Sequence, residues 1–447
     1  MQKCGSPKKD SHSICIKQEN NMKKYCLYAI KSIIVLGVSA VLGLLLLIAV
    51  YMLPTDRIWS HVQESRAPIF SESMYFQIMP NVGGAMFDNY TEAMYLNMAL
   101  VDDNNDALYV ALESNMYAVP GDYTPQERLK HVLDYNENVE LVSGPKRFWN
   151  GYMVFIKPLL MIFSYSEIRN FNLMLQSMLL FVLMTLMYRK GLGKYTLPLL
   201  LTYLFLNPIC IAMNMTFAGY FYCTVIPCII MLLLNDKLVQ KDLYIFFFLI
   251  IGICVVYFNM NYFQIISFGI PLVLYFILNS WPQNFKEFFE KAIIFFAAWF
   301  LGYCGMMVMK WIFYAIFISP EIFTEMIKHM SNRLSTTYDE TQITRIDAIV
   351  RNIEEVIKNI GWLIFEVIFI INCIVRTIKN RIFVKINIKQ LIVVTIIAIV
   401  PIIRYIIFAN HVYIHYWVTY RCLAMSIFAI NVMLIDISEK QKREMIE

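Results

Sequence analysis

Residues 29–53 read A-I-K-S-I-I-V-L-G-V-S-A-V-L-G-L-L-L-L-I-A-V-Y-M-L. An apolar helix of about 20 residues suffices to cross a bilayer, so this stretch, Ala29 to Leu53, reads as a membrane span. Residues 1–28 before it are polar and basic, and no small-residue cleavage site follows it. It is therefore expected to be an uncleaved first span rather than a signal peptide. Similar runs recur near 171–188, 195–212, 217–234, 243–259, 262–280, 292–317, 360–376, 391–408 and 417–435. Continuous runs of this kind make helices, whereas a barrel would give short alternating segments. The expected fold is an all-α polytopic membrane protein of about ten helices.

Composition agrees. The chain is 59% hydrophobic and 16% charged, against about 25% charged in soluble domains. The net charge of +5 does not point to nucleic acid, because the basic residues sit in short connections between apolar runs. Most of the ten cysteines lie inside those runs (Cys210, Cys223, Cys228, Cys254, Cys304, Cys422), and none forms a C-x-x-C pair. They read as small buried hydrophobes, not as a disulfide framework.

The basic residues also orient the chain. Lys8, Lys9, Lys17, Lys23 and Lys24 mark the N-terminal tail as cytoplasmic. Every second connection is then inside. Those connections carry Arg189, Lys190 and Lys194; Lys237 and Lys241; Lys286 and Lys291; and Arg376, Lys379, Arg381 and Lys385. The tail 436–447 adds Lys440, Lys442 and Arg443. Both termini are thus expected in the cytoplasm, flanking a membrane domain over 29–435, with long outer loops at 54–170 and 319–361. Met153 to Phe163 is too short to span, and with Trp149, Tyr152 and Lys157 it suits the outer interface. In Ile343 to Lys358, the residues Ile346, Ile349, Val350 and Ile353 recur at helical spacing, which predicts a second interfacial helix.

Three groups of residues could carry chemistry. The first is F-D-N-Y-T-E-A-M-Y-L-N-M-A-L, residues 87–100. Asp88 and Glu92 are four apart and can share one helix face. Either could draw a proton from a hydroxyl, or Asp88 could be an N-cap and Glu92 a solvated helix residue. Asp102, Asp103 and Asp106, with Asn104 and Asn105, read as an acidic turn that lacks the full calcium-loop spacing. The second group is A-N-H-V-Y-I-H-Y-W-V-T-Y-R, residues 409–421. His411, Tyr413, His415, Tyr416, Trp417 and Arg421 suit a phosphate headgroup and a sugar ring, or else an aromatic belt at the interface. Arg421 is expected inside the outer part of the last span, where a charge needs a partner. Zinc on the two histidines is an alternative, although no H-E-x-x-H occurs. The third group is dispersed: Arg147, Lys310, Arg333, Arg345 and Arg404. Together they could seat a lipid-linked phosphate. Singly, each would be a snorkelling anchor. No Walker motif, G-x-G-x-x-G turn or G-x-S-x-G elbow occurs.

With F-D-N-Y-T-E-A-M (87–94), R-F-W-N-G-Y (147–152) and N-H-V-Y-I-H-Y-W-V-T-Y-R (410–421), the chain resembles the multi-spanning GT-C glycosyltransferases, in particular Gram-positive members linked to surface polysaccharides. The resemblance implies a bacterial plasma-membrane enzyme that takes sugar from a polyprenyl-phosphate carrier and passes it to a glycan or lipid-linked acceptor. An acid of the first outer loop would activate the acceptor: Asp88 first, then Glu92, then Asp56. Arg147, Trp149, Arg345, Arg404, His411, Tyr413, His415 and Arg421 would bind donor phosphate or substrate. A divalent metal is left open, since some members use one. A polysaccharide polymerase is the neighbouring reading. A transporter or flippase of lipid-linked saccharide is the reading from a different class; its pointers are Glu366 and Asn372 within an otherwise apolar span.

Overall fold

The computed structural model describes residues 8–439 except 83, 103, 105, 136–138, 282–283, 339–340 and 380–387, with side chains from residue 24 onward. Asp103, Asn105, Arg381, Lys385, Lys440, Lys442 and Arg443 therefore lie outside the described residues, as do the side chains of Lys8, Lys9, Lys17 and Lys23.

The chain is nearly all helix. Among the described residues, seven helices are long and apolar enough to cross a membrane: Lys24–Tyr51, Tyr165–Arg189, Met215–Gln240, Phe285–Phe317, Ile360–Lys379, Ile388–Ile407 and Tyr416–Glu439. Their outward sides are apolar. Helix Ile360–Lys379, for example, exposes Ile364, Ile368, Ile371 and Ile378. Contiguous apolar surface of this extent is avoided in water and suits a lipid bilayer.

The other three apolar runs form shorter helices. The run 195–212 breaks at Asn207, which takes a left-handed φ of 58° between helices Thr196–Phe205 and Pro208–Met213. The following proline disfavours helical backbone at residue 207. The runs 243–259 and 262–280 become helices Tyr244–Phe258 and Ile266–Leu278, of 15 and 13 residues. They leave an irregular segment at 259–265. Non-helical backbone inside an apolar bundle must find partners, and these come from neighbouring helices. The Tyr220 hydroxyl donates to the Met260 carbonyl and accepts the Tyr262 N–H at 3.0 Å. Arg404 donates to the carbonyls of Asn261 (3.3 Å) and Tyr262 (2.7 Å).

Glycine allows the closest helix crossing. A Cβ at Gly252 would lie 2.0 Å from the Trp299 carbonyl oxygen, and one at Gly302 would lie 2.2 Å from that of Leu249. Helix Tyr244–Phe258 thus presses backbone to backbone on Phe285–Phe317, the small-residue packing by which apolar helices associate. Alanine at either glycine would force the pair apart.

The segment 54–164 is anchored to this bundle. Trp149 is buried and donates its indole N–H to the Met306 carbonyl at 2.6 Å. The Gly151 N–H meets the Tyr257 carbonyl at 2.9 Å. Lys310 is fully buried and donates to the Ala111 and Leu112 carbonyls at 2.8 and 2.9 Å, at the C-terminal end of helix Ala107–Glu113. A cation there satisfies carbonyls that a helix end leaves open. Lys157 does the same at 3.0 Å for Val101, the C-cap of helix Asn89–Leu100. The strands are short: Met116–Ala118 pairs antiparallel with Glu140–Val142, and Thr337–Tyr338 pairs with Thr341–Gln342.

Candidate active site

Asp88 and Glu92 lie at the N-terminal end of helix Asn89–Leu100, and both are buried. Asp88 is the N-cap: its Oδ1 accepts the Thr91 N–H at 3.1 Å and its Oδ2 the Thr91 hydroxyl at 2.7 Å. The Tyr262 hydroxyl donates to the same Oδ2 at 3.4 Å. Two oxygens offer about four lone-pair sites, so Asp88 keeps capacity for a further donor. Burial disfavours its charge and pushes its pKa up to about 6, against the pull of Thr91 and Tyr262.

Glu92 has a different neighbourhood. It accepts the N–H groups of Thr216 (2.7 Å) and Met215 (3.1 Å), and the hydroxyls of Thr216 and Tyr165. The Asn214 amide, oriented to satisfy its neighbours, adds a donor to Glu92 at 3.1 Å and accepts the Asp88 N–H at 3.0 Å. Met215 and Thr216 begin helix Met215–Gln240. Glu92 is thus a carboxylate cap for a helix 123 positions away in the chain. Its acceptor sites are filled. Burial pushes its pKa up to about 7, outweighing the donors and the nearby Arg169.

Arg169 fixes the approach to this helix. It is buried, pairs with Glu72 at 2.9 Å and donates to Asn89 at 3.0 Å. Sequence reasoning missed it, because its helix looked like an ordinary span.

On the other side of Tyr262 lies a cluster of cations. His411 and His415 stack edge to face at 4.9 Å, and each meets the Tyr262 ring, at 6.4 and 5.4 Å. Arg404, Arg333 and Arg147 all act electrostatically on both histidines. Burial first, and then these arginines, holds the histidines neutral; the His415 pKa falls to about 4. Among the described residues, none of the three arginines has a carboxylate within ion-pair distance. Arg147 meets His329 at 2.7 Å. Arg404 is buried, and among the described residues its Nε and Nη1 have no hydrogen-bond partner. The Nδ1 of His411, also buried, has none. Buried donors without partners are costly, and an anion between them would remove that cost.

The structure brings Asp88, Arg147, Arg404, His411 and His415 into one neighbourhood and adds Arg333 and Tyr262. It sets the other candidates apart. Arg421 is fully buried among Phe217, Phe263 and Tyr420, donating to the carbonyls of Leu206 (3.0 Å) and Gly84 (2.7 Å). Arg345 is exposed and donates to the Ile406 carbonyl. Tyr413 lies under the Arg351 guanidinium, 4.2 Å away. Trp149 is a buried anchor. Asp56 is exposed in the first turn of helix Asp56–Glu64. Trp59 of that helix bonds the Leu100 carbonyl, which is the far end of the twelve-residue helix that Asp88 caps, roughly 18 Å away at 1.5 Å per residue. Asp102 and Asp106 make local turn and cap contacts with Asn104, Leu108 and Tyr109.

Among the described residues no three His, Cys, Asp or Glu side chains converge as a metal site. Glu366 is buried and accepts from Asn431 at 3.1 Å, while Asn372 faces outward. No protein-family model, curated protein or solved structure matches the chain.

Proposed function

We propose that the chain is a GT-C-like glycosyltransferase with about ten membrane crossings, the three apolar runs that form shorter helices completing the set. Both termini are cytoplasmic, and the Asp88 end of the bundle faces outward across a bacterial plasma membrane. The substrates are a polyprenyl-phosphate sugar and a cell-surface glycan or lipid-linked acceptor. One observation carries the reading: a buried carboxylate and three arginines that have no carboxylate partner among the described residues sit on either side of Tyr262. Such a site has an acceptor for a proton and a seat for a phosphate.

In the reaction, the acceptor hydroxyl oxygen bonds to the anomeric carbon and gives its proton to Asp88. The bond from that carbon to the phosphate oxygen breaks, and polyprenyl phosphate leaves with the electron pair. Arg404, Arg333 and Arg147 hold the departing charge, and neutral His411 and His415 offer hydrogen bonds. The helices at 345–358 and 322–334 support access from lipid. The first turns Ile346, Val350, Ile353 and Ile357 outward, and the second Phe323, Ile327, Met330 and Leu334. Both faces suit the membrane interface, and the second helix carries His329 and Arg333 on its other side.

Radiolabelled polyprenyl-phosphate sugars, presented with crude acceptor glycan to protein in lipid, test the reading. Transfer that is lost in Asp88→Asn supports it. Absence of transfer from every donor by intact protein refutes it. Growth of long chains rather than single additions would replace it with a polymerase.

A further inference from the structure

The sequence gives no reason to single out Tyr262, one of 28 tyrosines. Its position does. It lies in the irregular segment 259–265, between two short apolar helices of 15 and 13 residues, and is buried. Every part of it is engaged. Its N–H donates to Tyr220 at 3.0 Å, which fixes the segment. Its carbonyl accepts Arg404 at 2.7 Å. Its ring lies against His411 and His415. Its hydroxyl donates to Asp88 and is close enough to Arg147 and Arg333 to act on both.

We propose that Tyr262 is a positioning residue that joins the two halves of the site: its side chain holds the Asp88 carboxylate, and its backbone carbonyl holds Arg404 toward the cation cluster. The proposal rests on the transferase reading for its chemistry, but its geometry stands without it. The short helices on either side explain why the loop reaches so far into the bundle. Two longer helices would leave Tyr262 no route to both Asp88 and Arg404.

The consequence is measurable at Asp88. The groups that face it are Thr91 on its own helix, Tyr75 in the preceding segment and Tyr262, while Asn214 accepts its backbone N–H. His415 and the arginines lie beyond the Tyr262 ring. Among the described residues, Tyr262 is the one side-chain donor to the Asp88 carboxylate from outside its own helix. A phenol is protonated at physiological pH, so Tyr262 is a donor there. Tyr262→Phe removes that donor and keeps the ring and the backbone. The carboxylate then loses a bond that favours its charged form, and its titration moves to higher pH by roughly half a unit.

Infrared difference titration of the full chain in lipid reads this directly. The protonated-carboxyl band that disappears in Asp88→Asn reports Asp88 alone. The expected result is a higher midpoint in Tyr262→Phe, with a shift in the same direction in Thr91→Val, which loses the 2.7 Å donor to the same oxygen. Transfer by Tyr262→Phe should show the same shift in its acid limb, with donor KM within about twofold of the wild type, because the carbonyl still holds Arg404. Equal midpoints in Tyr262→Phe and wild type, with Thr91→Val displaced, overturn the proposal. If the phenylalanine variant does not accumulate, Tyr262→Leu serves, since it also lacks the donor. A raised midpoint supports the proposal, and a wild-type midpoint overturns it. Wild-type protein that transfers from no donor refutes the transferase reading, and the infrared titration still decides the role of Tyr262.

Discussion

Asp88 and Glu92 are one helical turn apart, equally buried and chemically alike, yet they meet opposite fates. Glu92 is saturated by donors from Asn214, Met215, Thr216 and Tyr165, so it knits two helices together. Asp88 has local donors and one long bond to Tyr262, so it keeps capacity toward its surroundings. The cations divide the same way. Lys310 is spent on helix-end carbonyls, whereas Arg404 gives one nitrogen to the loop and leaves Nε and Nη1 open. Burial of charge therefore does not identify a site by itself. What separates structure from chemistry is whether the buried group's bonding capacity is already used.

The comparison breaks most sharply at Asp88. Asp88→Asn should lower transfer by about 10²- to 10⁴-fold, the range for loss of a general base. Stability should move the other way. The folded-state pKa of Asp88 is raised, to about 6, so the native state holds its proton where the unfolded chain releases it. Stability from that proton is present at low pH and is lost as pH rises through 6. Asparagine keeps the cap and removes the buried charge. Above pH 6 the variant should thus melt at or above the wild-type temperature, by up to an order of 2 kcal/mol. Wild-type transfer should rise with pH through about 6, since the base must be ionised. Pairing the melting curve with the pH–rate profile checks both. Transfer that survives Asp88→Asn would move the base elsewhere and end the contrast with Glu92.

Arg404→Gln is next in size. A hydrogen bond to a charged group is worth about 1.5–3 kcal/mol, so kcat/KM for a phosphate-linked donor should fall by tenfold to a hundredfold. The Tyr262 carbonyl can still take a donor from the glutamine amide, so the melting temperature should change little. Glu92→Ala should behave in reverse. It strips the N–H groups that begin helix Met215–Gln240 and should cost about 2 kcal/mol of stability. Glu92→Gln should retain transfer, as a residue that only caps. Loss of transfer in a well-folded Glu92→Gln would erase the distinction drawn between the two acids.

The distinction was only half legible in the sequence. Apolar runs are additive over long windows, so the long helices could be read from composition alone. A local cap was legible too: Asp88 reads as an N-cap, and its side chain accepts the Thr91 N–H three residues on. The cap made by Glu92 was not, because its partners at 215 and 216 are brought to it only by folding. Trp149 carried the signature of an interface anchor, but its indole is spent on the Met306 carbonyl. Tyr262 was invisible for the opposite reason. Its segment reads as the join between two apolar runs, and only their shortness as helices turns that join into the centre of the site.

Asp56 gives the smallest expected effect and a clean control. It is acidic, it follows the first apolar run, and by position in the chain it qualifies as a base. In the structure it is exposed, in the first turn of a nine-residue helix. An acid there interacts with the helix dipole for about 0.3–1 kcal/mol. Asp56→Asn should therefore shift the melting temperature slightly downward and leave transfer within about twofold of wild type at every pH. The useful comparison is with Asp88→Asn in the same preparation. If Asp56→Asn abolished transfer and Asp88→Asn did not, the base would lie at the opposite end of helix Asn89–Leu100. The cation cluster around Tyr262 would then be too far from it to share a reacting bond, and the two halves of the site could not belong to one reaction.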